Sequence, residues 1–253
     1  MTFISCAKTM TARTKIKYPE TTIPHFQEEA RENALYMNQF TTEELGQMLK
    51  VNAKLAAENR LRYQDFLSPD TPSLPALLAY TGMVFKRIHP ADFTPEDFQF
   101  AQQHLLITSF LYGLLRPLDA IKNYRMEGNV RLPEHQRQTQ FDYWKPILTD
   151  YFIEAVRQQG GILINLASGE MKDLFHWDKV CREVQVITPE FYTLKNGKPT
   201  TVVVYAKMCR GEMTRFILKN RIEQPEQLKA FEWEGFSYDA ASSDAQTLRF
   251  LLK

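Results

Sequence analysis

Residues 105–127, LLITSFLYGLLRPLDAIKNYRME, decide how the rest of the chain is read. They join an apolar run, a turn-prone Tyr112-Gly113 pair, a Leu-rich bend stopped at Arg116-Pro117, and Asp119 with the bases Lys122 and Arg125 beyond it. Pro117 has no N–H to donate and biases Arg116 away from the α region, so the chain must turn there with Arg116 near its surface. A turn that fixes a cation is where chemistry or contact is expected.

Toward the N-terminus, residues 2–5 form a short β-like run that feeds a basic loop holding Lys8, Arg13, Lys15 and Lys17, with no acid before Glu20. The plain reading of that loop is solvated surface. The sharper one is that Lys8, just past a first strand, faces a site. Residues 25–67 read as helix, with a capping signal at Thr41-Thr42-Glu43-Glu44 and with Leu55 and Phe66 facing inward beside the polar Lys54 and Asn59. Pro69, Pro72 and Pro75 mark a loop that is too ordinary in composition to be a linker, and Thr94 opens another helix with acidic residues in its first turn.

Toward the C-terminus, residues 141–159 carry Trp144, Ile147, Leu148, Tyr151, Phe152, Ala155 and Val156 on one helical stripe, which predicts a core helix ended by Gly160-Gly161. Residues 162–167 then read as a buried strand. Asn165, Ser168 and Glu170 fall at its end, where open sheets bind ligands. The alternative is that Ser168 only caps a following helix and Glu170 only complements its dipole. Residues 184–192 and 200–206 read as strands joined around Asn196-Gly197. The second is expected to run into the most polarised helix, residues 207–222. There Cys209, Met213, Phe216 and Ile217 share one side, while Lys207, Arg210, Arg215, Lys219 and Arg221 spread over the other against Glu212 alone. Such an imbalance suits phosphates. Gly211 on that helix would let a backbone approach closely, at about 1 kcal/mol in helix propensity. A short helix from Pro225 and a strand-like run at 247–252 complete the chain.

The chain has 253 residues, 44% of them hydrophobic, enough to bury one large domain or two small ones. With 31 lysines and arginines against 30 acidic residues, anion binding has to come from local clustering, and a nonspecific nucleic-acid binder is disfavoured. The 3 cysteines, Cys6, Cys181 and Cys209, form no CxxC pair and suit a reducing cytosol. No apolar run approaches the roughly 20 residues of a membrane span, and no signal-peptide pattern opens the chain. A soluble, cytoplasmic protein without membrane association is expected. Walker, GxGxxG, GxSxG and HExxH patterns are missing, and the 5 histidines show no ligand spacing, so neither a cofactor nor a metal is expected. Cys6 beside Lys8 is conceivable as a nucleophile if the lysine lowers its pKa.

The sequence resembles the peroxide-stress YaaA family from end to end. LYGLLRPLD followed by YRME is similar to its central signature, and residues 5–9 (SCAKT) to its S-P-A-K-T opening. Lys54-Leu55-Ala56 with Asn59 resembles its K-L-A-x-x-N, and residues 163–168 with Glu170 resemble its V-N-L-A-S-x-E. Residues 195–198, 205–207, 210–211, 215–216 and 220–221 resemble its C-terminal block. The matching motif positions include Thr9, Asn59, Tyr112, Gly113, Asp119, Asn165, Ser168, Glu170, Gly211 and Asn220. Cys6, Met83, Phe110, Gly169 and Met171 depart from the pattern, as a divergent member would.

The resemblance implies one α+β domain over residues 1–253, a mixed sheet flanked by helices, with a helix-hairpin-helix-like element. It also implies a bacterial role in peroxide resistance and in keeping free iron low, and contact with double-stranded or distorted DNA through a positive cleft. The hairpin would fall at residues 109–113, where Phe110 stands in place of a glycine and would hinder phosphate approach. Two functions follow, the first leading and the second its alternative. One is DNA binding through phosphate contacts from Lys8, Lys54, Arg116, Arg125, Lys207, Arg210, Arg215 and Lys219. The other is an enzyme acting on a small anionic or nucleotide-like substrate between Lys8, Asn165, Glu170, Lys207 and Arg210, with no catalytic residue assigned. A peroxide-stress scaffold with a protein partner is a third option that the sequence does not itself signal, and no obligate partner is inferred. An enclosed pocket holding Lys8 and Glu170 together favours the enzyme, and an open basic groove favours DNA.

Overall fold

A computed structural model describes residues 1–252. In chain order the elements are β1 (Thr2–Ile4), α1 (Gln27–Asn38), α2 (Thr42–Leu49), α3 (Ala53–Gln64), β2 (Ser73–Pro75), α4 (Ala76–Ala79), α5 (Met83–Ile88), α6 (Pro95–His104), β3 (Leu105–Ser109), β4 (Gly113–Leu115), β5 (Ala120–Lys122), α7 (Gln140–Arg157), β6 (Ile162–Asn165), α8 (Trp177–Glu183), β7 (Gln185–Lys195), β8 (Lys198–Thr200), α9 (Val203–Lys219), β9 (Glu232–Trp233), β10 (Phe236–Tyr238) and β11 (Thr247–Leu252). The fold is α+β: one mixed sheet of nine strands runs β4-β3-β1-β6-β7-β11-β10-β9, with β8 added to β7, and helices flank it. Strands β3, β1, β6, β7 and β11 are mutually parallel. The central strands β1, β3 and β6 are buried along nearly all of their length, as parallel strands covered on both faces are, with Phe3, Ile4, Leu106, Ile107 and Leu163 in the core; β7 and β11 instead alternate buried with more exposed residues.

Local chemistry fixes the helix starts as the sequence suggests. Thr41 with Glu44, and Thr94 with Asp97, form reciprocal capping boxes at α2 and α6. Gly160 and Gly161 end the long helix α7 at φ +88° and +75°, a backbone region that glycine reaches without a Cβ penalty. Phe3, Phe152 and Phe175 cluster where β1 meets α7, with Phe152 and Phe175 stacked and Phe3 inclined to both. A second aromatic group, Phe191, Phe231 and Phe250, closes the far half of the sheet.

The central stretch differs from the expected helix-hairpin-helix element. Residues 109–113 connect two antiparallel strands, β3 and β4, rather than two helices. Gly113 is required there twice over: its φ is +69°, and a Cβ would stand 2.8 Å from the Trp144 ring. Phe110 is buried beside it, and its carbonyl accepts a 2.9 Å hydrogen bond from Trp144 Nε1. The expected strand over 200–206 is also corrected. Pairing with β7 stops at Thr200, and α9 opens at Val203. The buried series Ala206, Cys209, Met213, Ile217 has helical spacing and draws the preceding exposed valines into the first turn.

Candidate functional site: a charged cavity at the strand ends

From β1 the sheet proceeds to β3 on one side and to β6 on the other. The loops leaving the carboxyl ends of β1 and β6 therefore diverge at a topological switch point, the usual place for a ligand crevice in such sheets. Here the two loops are tied together. Ser5 Oγ and Ser168 Oγ share a 3.0 Å hydrogen bond, and the Ser168 N–H donates to Ser5 Oγ at 2.8 Å. One residue on, the Cys6 N–H donates to Thr108 Oγ1 of β3 at 3.0 Å. A cavity of about 360 Å³ opens at this junction, walled by the two loops, the segment 124–129, the start of α5, and Lys207 and Arg210 of α9.

Four cations and two carboxylates line it: Lys8, Arg125, Lys207, Arg210, Glu127 and Glu170. Glu127 holds two of the cations, Lys8 Nζ at 2.6 Å and Arg125 at 3.1 Å. The Arg125 Nε is buried with no hydrogen-bond partner. In contrast to Lys8 and Arg125, the side chains of Lys207, Arg210 and Glu170 have no ion-pair partner among the described residues. Burial lowers the pKa of Arg210, with Glu190 opposing the shift. Glu170 approaches Ser168 Oγ at 3.5 Å.

The other half of the cavity is apolar and fixed. Phe110 and Phe141 meet edge to face at 5.2 Å and 85°, and Gly128 lies so close that a Cβ would stand 2.3 Å from the Phe141 ring. Tyr124 is joined through its hydroxyl to Tyr80 at 2.6 Å and to Ser109 at 2.7 Å. Burial lifts both phenols well above their ordinary range, so this buried chain of hydroxyls stays protonated. Burial also pushes the Cys6 thiol up to about 11, against the hydrogen bond with Thr108. Burial thus opposes the conceivable thiolate at Cys6, and Lys8, which would have had to favour it, is engaged by Glu127.

Of the residues singled out from sequence, Lys8, Thr9, Arg125, Ser168, Glu170, Lys207 and Arg210 come together in this cavity, and so do Cys6, Met83, Phe110 and Met171. Asn165 does not. It lines a neighbouring cavity of about 170 Å³ with Gly169, on the other side of the same loop, and Arg210 alone reaches both spaces. The single basic groove divides. Lys54 is exposed on α3 and Arg116 is exposed beside Tyr151, both outside the cavity. Arg215 is paired with Asp92 at 2.5 Å, and Lys219 and Arg221 both reach Asp97 at 2.7 Å, so the C-terminal part of the helix face read as phosphate-binding is neutralised by acids from before α6 and from its first turn, while Lys207 and Arg210 are not.

The remaining motif residues have structural duties. Asn59 donates to Leu55 O at 2.7 Å within its own helix, and Asn220 donates to Phe216 O at 2.8 Å. The Tyr112 hydroxyl accepts from the Lys122 N–H at 3.1 Å. Asp119 accepts from the Arg116 N–H and from Thr22 Oγ1, each at 2.7 Å, and so fixes the turn at Pro117. Gly211 does permit a close backbone approach, but the backbone is that of α5: a Cβ would lie 2.4 Å from Val84 O. Sequence reasoning does not single out Glu127, Phe141 or Asn129 of the cavity wall. Glu127 and Ser5 lie within the quoted motifs, whereas no local pattern marks Phe141 or Asn129.

No helix among the described residues is long and apolar enough to cross a membrane. No group of three or more His, Cys, Asp or Glu side chains among them is placed to hold a metal ion. Comparison with known proteins gives a consistent result. The family described as peroxide stress protein YaaA matches residues 1–242. A UPF0246 protein of Phocaeicola vulgatus is 68% identical over 253 residues, covering 100% of this chain and 99% of its own. One of Bacteroides thetaiotaomicron is 61% identical over 251 residues, covering 99% and 98% respectively. A UPF0246 protein of Porphyromonas gingivalis is 44% identical over 252 residues, with 99% and 98% covered. With the whole length matched in this way, the chain belongs to the peroxide stress protein YaaA (UPF0246) family.

Proposed function

We propose that this family member serves the peroxide-stress response as an enzyme acting on a small anionic substrate in the switch-point cavity, and that it limits iron and peroxide damage indirectly through that chemistry. The observation that carries this reading is one cavity in which Lys8, Arg125, Lys207 and Arg210 face Glu170, a carboxylate with no cationic partner. A purely electrostatic polyanion binder has no use for such a carboxylate, which lowers anion affinity. A carboxylate so placed suits an acid or base catalyst, or a group that accepts a substrate hydroxyl or amine proton. Calorimetric titration with small phosphates and carboxylates, and with neutral analogues as controls, tests the binding half. Lys207→Ala with Arg210→Gln should weaken anion binding about tenfold or more, with Arg215→Gln as the unaffected control. Glu170→Gln should stop turnover of a bound substrate while leaving its binding intact. Equal binding of neutral analogues would overturn the reading.

A second reading, phosphate contact with DNA, is favoured by Lys8, whose side chain is 67% exposed at the cavity rim. It would use Lys8, Lys207 and Arg210 without the neutralised Arg215 and Lys219. Removing any one of these phosphate-binding cations should then shallow the salt dependence of duplex binding by about one unit of slope. A slope unchanged in Lys207→Glu with Arg210→Glu would remove DNA from consideration.

A further inference from the structure

The two halves of the cavity together specify more than an anion. Four cationic and two anionic side chains leave a formal excess of two positive charges in its lining. A phosphate monoester carries between about 1.5 and 2 negative charges at pH 7, which balances that excess. A triphosphate would exceed it, and a single carboxylate would leave it half compensated. The volume of about 360 Å³ lies at the small end of ligand pockets, too small for a dinucleotide. Also in the lining, the half-buried Phe141 packs edge to face on the largely buried Phe110, with the backbone of Gly128 close against both rings. Next to them Asn129 is exposed and offers an amide donor and acceptor at the edge of the aromatic wall. An aromatic wall with an amide at its rim suits a flat heteroaromatic ring with polar edges.

We propose that the ligand of this cavity is a nucleoside monophosphate, with its base against Phe141 near Asn129 and its phosphate among Lys8, Lys207 and Arg210. The proposal rests on the anion-pocket reading and narrows it to one chemical class. The Glu127 carboxylate, now between Lys8 and Arg125, stands where a ligand oxygen would compete for the same donors.

Calorimetry on the full chain with adenosine, guanosine, cytidine and uridine monophosphates, the four free nucleosides, inorganic phosphate and adenosine triphosphate tests it. At least one monophosphate should bind about tenfold or more tightly than phosphate or its own nucleoside, because stacking and charge add. Phe141→Leu and the exposed-site variant Asn129→Ala should weaken the monophosphate several-fold and leave phosphate unchanged, with far-UV circular dichroism confirming that each variant is folded. Phosphate binding as tightly as every monophosphate overturns the nucleotide assignment while the anion pocket stands. Adenosine triphosphate binding more tightly than the monophosphate overturns the monophosphate class. Failure of every probe to bind overturns both readings.

Discussion

Ser5 and Ser168, which are 163 positions apart in sequence, share a 3.0 Å hydroxyl hydrogen bond that straps the loop after β1 to the loop after β6. The Ser168 N–H also depends on Ser5 Oγ as its acceptor at 2.8 Å. The strap sets the spacing between Lys8 on one loop and Glu170 on the other, so the cavity's charge arrangement depends on it. Ser5→Ala should cost about 1–2 kcal/mol, the cost of leaving a partly buried N–H without its partner. It should also weaken anion binding more than the distant Thr71→Ala, with urea denaturation and calorimetry reading the two effects separately.

Glu127 is an internal competitor for the cavity's cations, since one carboxylate engages both Lys8 and Arg125. Glu127→Gln removes a negative charge from a space that recruits anions and releases two donors to the ligand. Affinity for a small anion should rise several-fold, against about 0.5–1 kcal/mol of stability from the partly exposed ion pairs it gives up. A fall in affinity would show that the carboxylate organises the site instead of opposing the ligand.

Helix α9, which brings Lys207 and Arg210 to the cavity, lies almost in backbone contact with α5. At Gly211 a Cβ would stand 2.4 Å from Val84 O and 2.5 Å from Arg87 Cβ. Gly211→Ala should therefore destabilise by about 1–3 kcal/mol through overpacking, although alanine is the better helix former. A gain in the urea midpoint would refute the close packing of these two helices.

How much of this is legible in the sequence depends on the range of each signal. The Asn196-Gly197 hairpin, the capping boxes at Thr41 and Thr94, and the core stripe of α7 are written within a few residues, and the structure contains all of them. Lys8, Glu170, Lys207 and Arg210 stand out because they fall at strand ends or early in a polarised helix. The fate of Arg215 and Lys219 is not legible. Their partners Asp92 and Asp97 lie more than 120 positions earlier, and a helical wheel shows charge but not who neutralises it. The run of valines before Tyr205 misleads for a related reason: β-branching favours a strand locally, while burial of Ala206 and Cys209 decides for helix. Strand order, and with it the switch point between β1 and β6, is set by pairings over more than 100 residues that no local pattern encodes.

Asp97 makes stability depend on acid. Burial raises its pKa, but hydrogen bonds from Lys219, the Thr94 backbone and Arg221 outweigh that effect and hold the carboxyl at about 2, below its reference value of 3.8. A folded-state pKa below the unfolded one means that the unfolded chain binds the proton more readily. The stabilisation is thus complete above about pH 4 and disappears as pH falls toward 2. Its size is on the order of 2 kcal/mol, from the usual 1.36 kcal/mol per pKa unit. Asp97→Asn should lose this increment at pH 7 and show a flatter decline in urea midpoint between pH 4 and pH 2 than the parent chain.

The thiols should sort by exposure. Burial pushes Cys6 up to about 11 and Cys209 up to about 12, so at pH 8 both are almost wholly protonated inside the fold. Cys181 is exposed on α8, and burial, its largest influence, raises its thiol while Lys172 opposes the rise. Only the thiolate reacts with alkylating agents, and access is needed as well. Iodoacetamide at pH 8 should therefore label Cys181 first in the native protein, the half-buried Cys6 more slowly, and the buried Cys209 only after denaturation, as peptide mass mapping would read. Native labelling of Cys6 ahead of the more exposed Cys181 would mean that its thiol is activated in the cavity, which would make Cys6 a nucleophile after all.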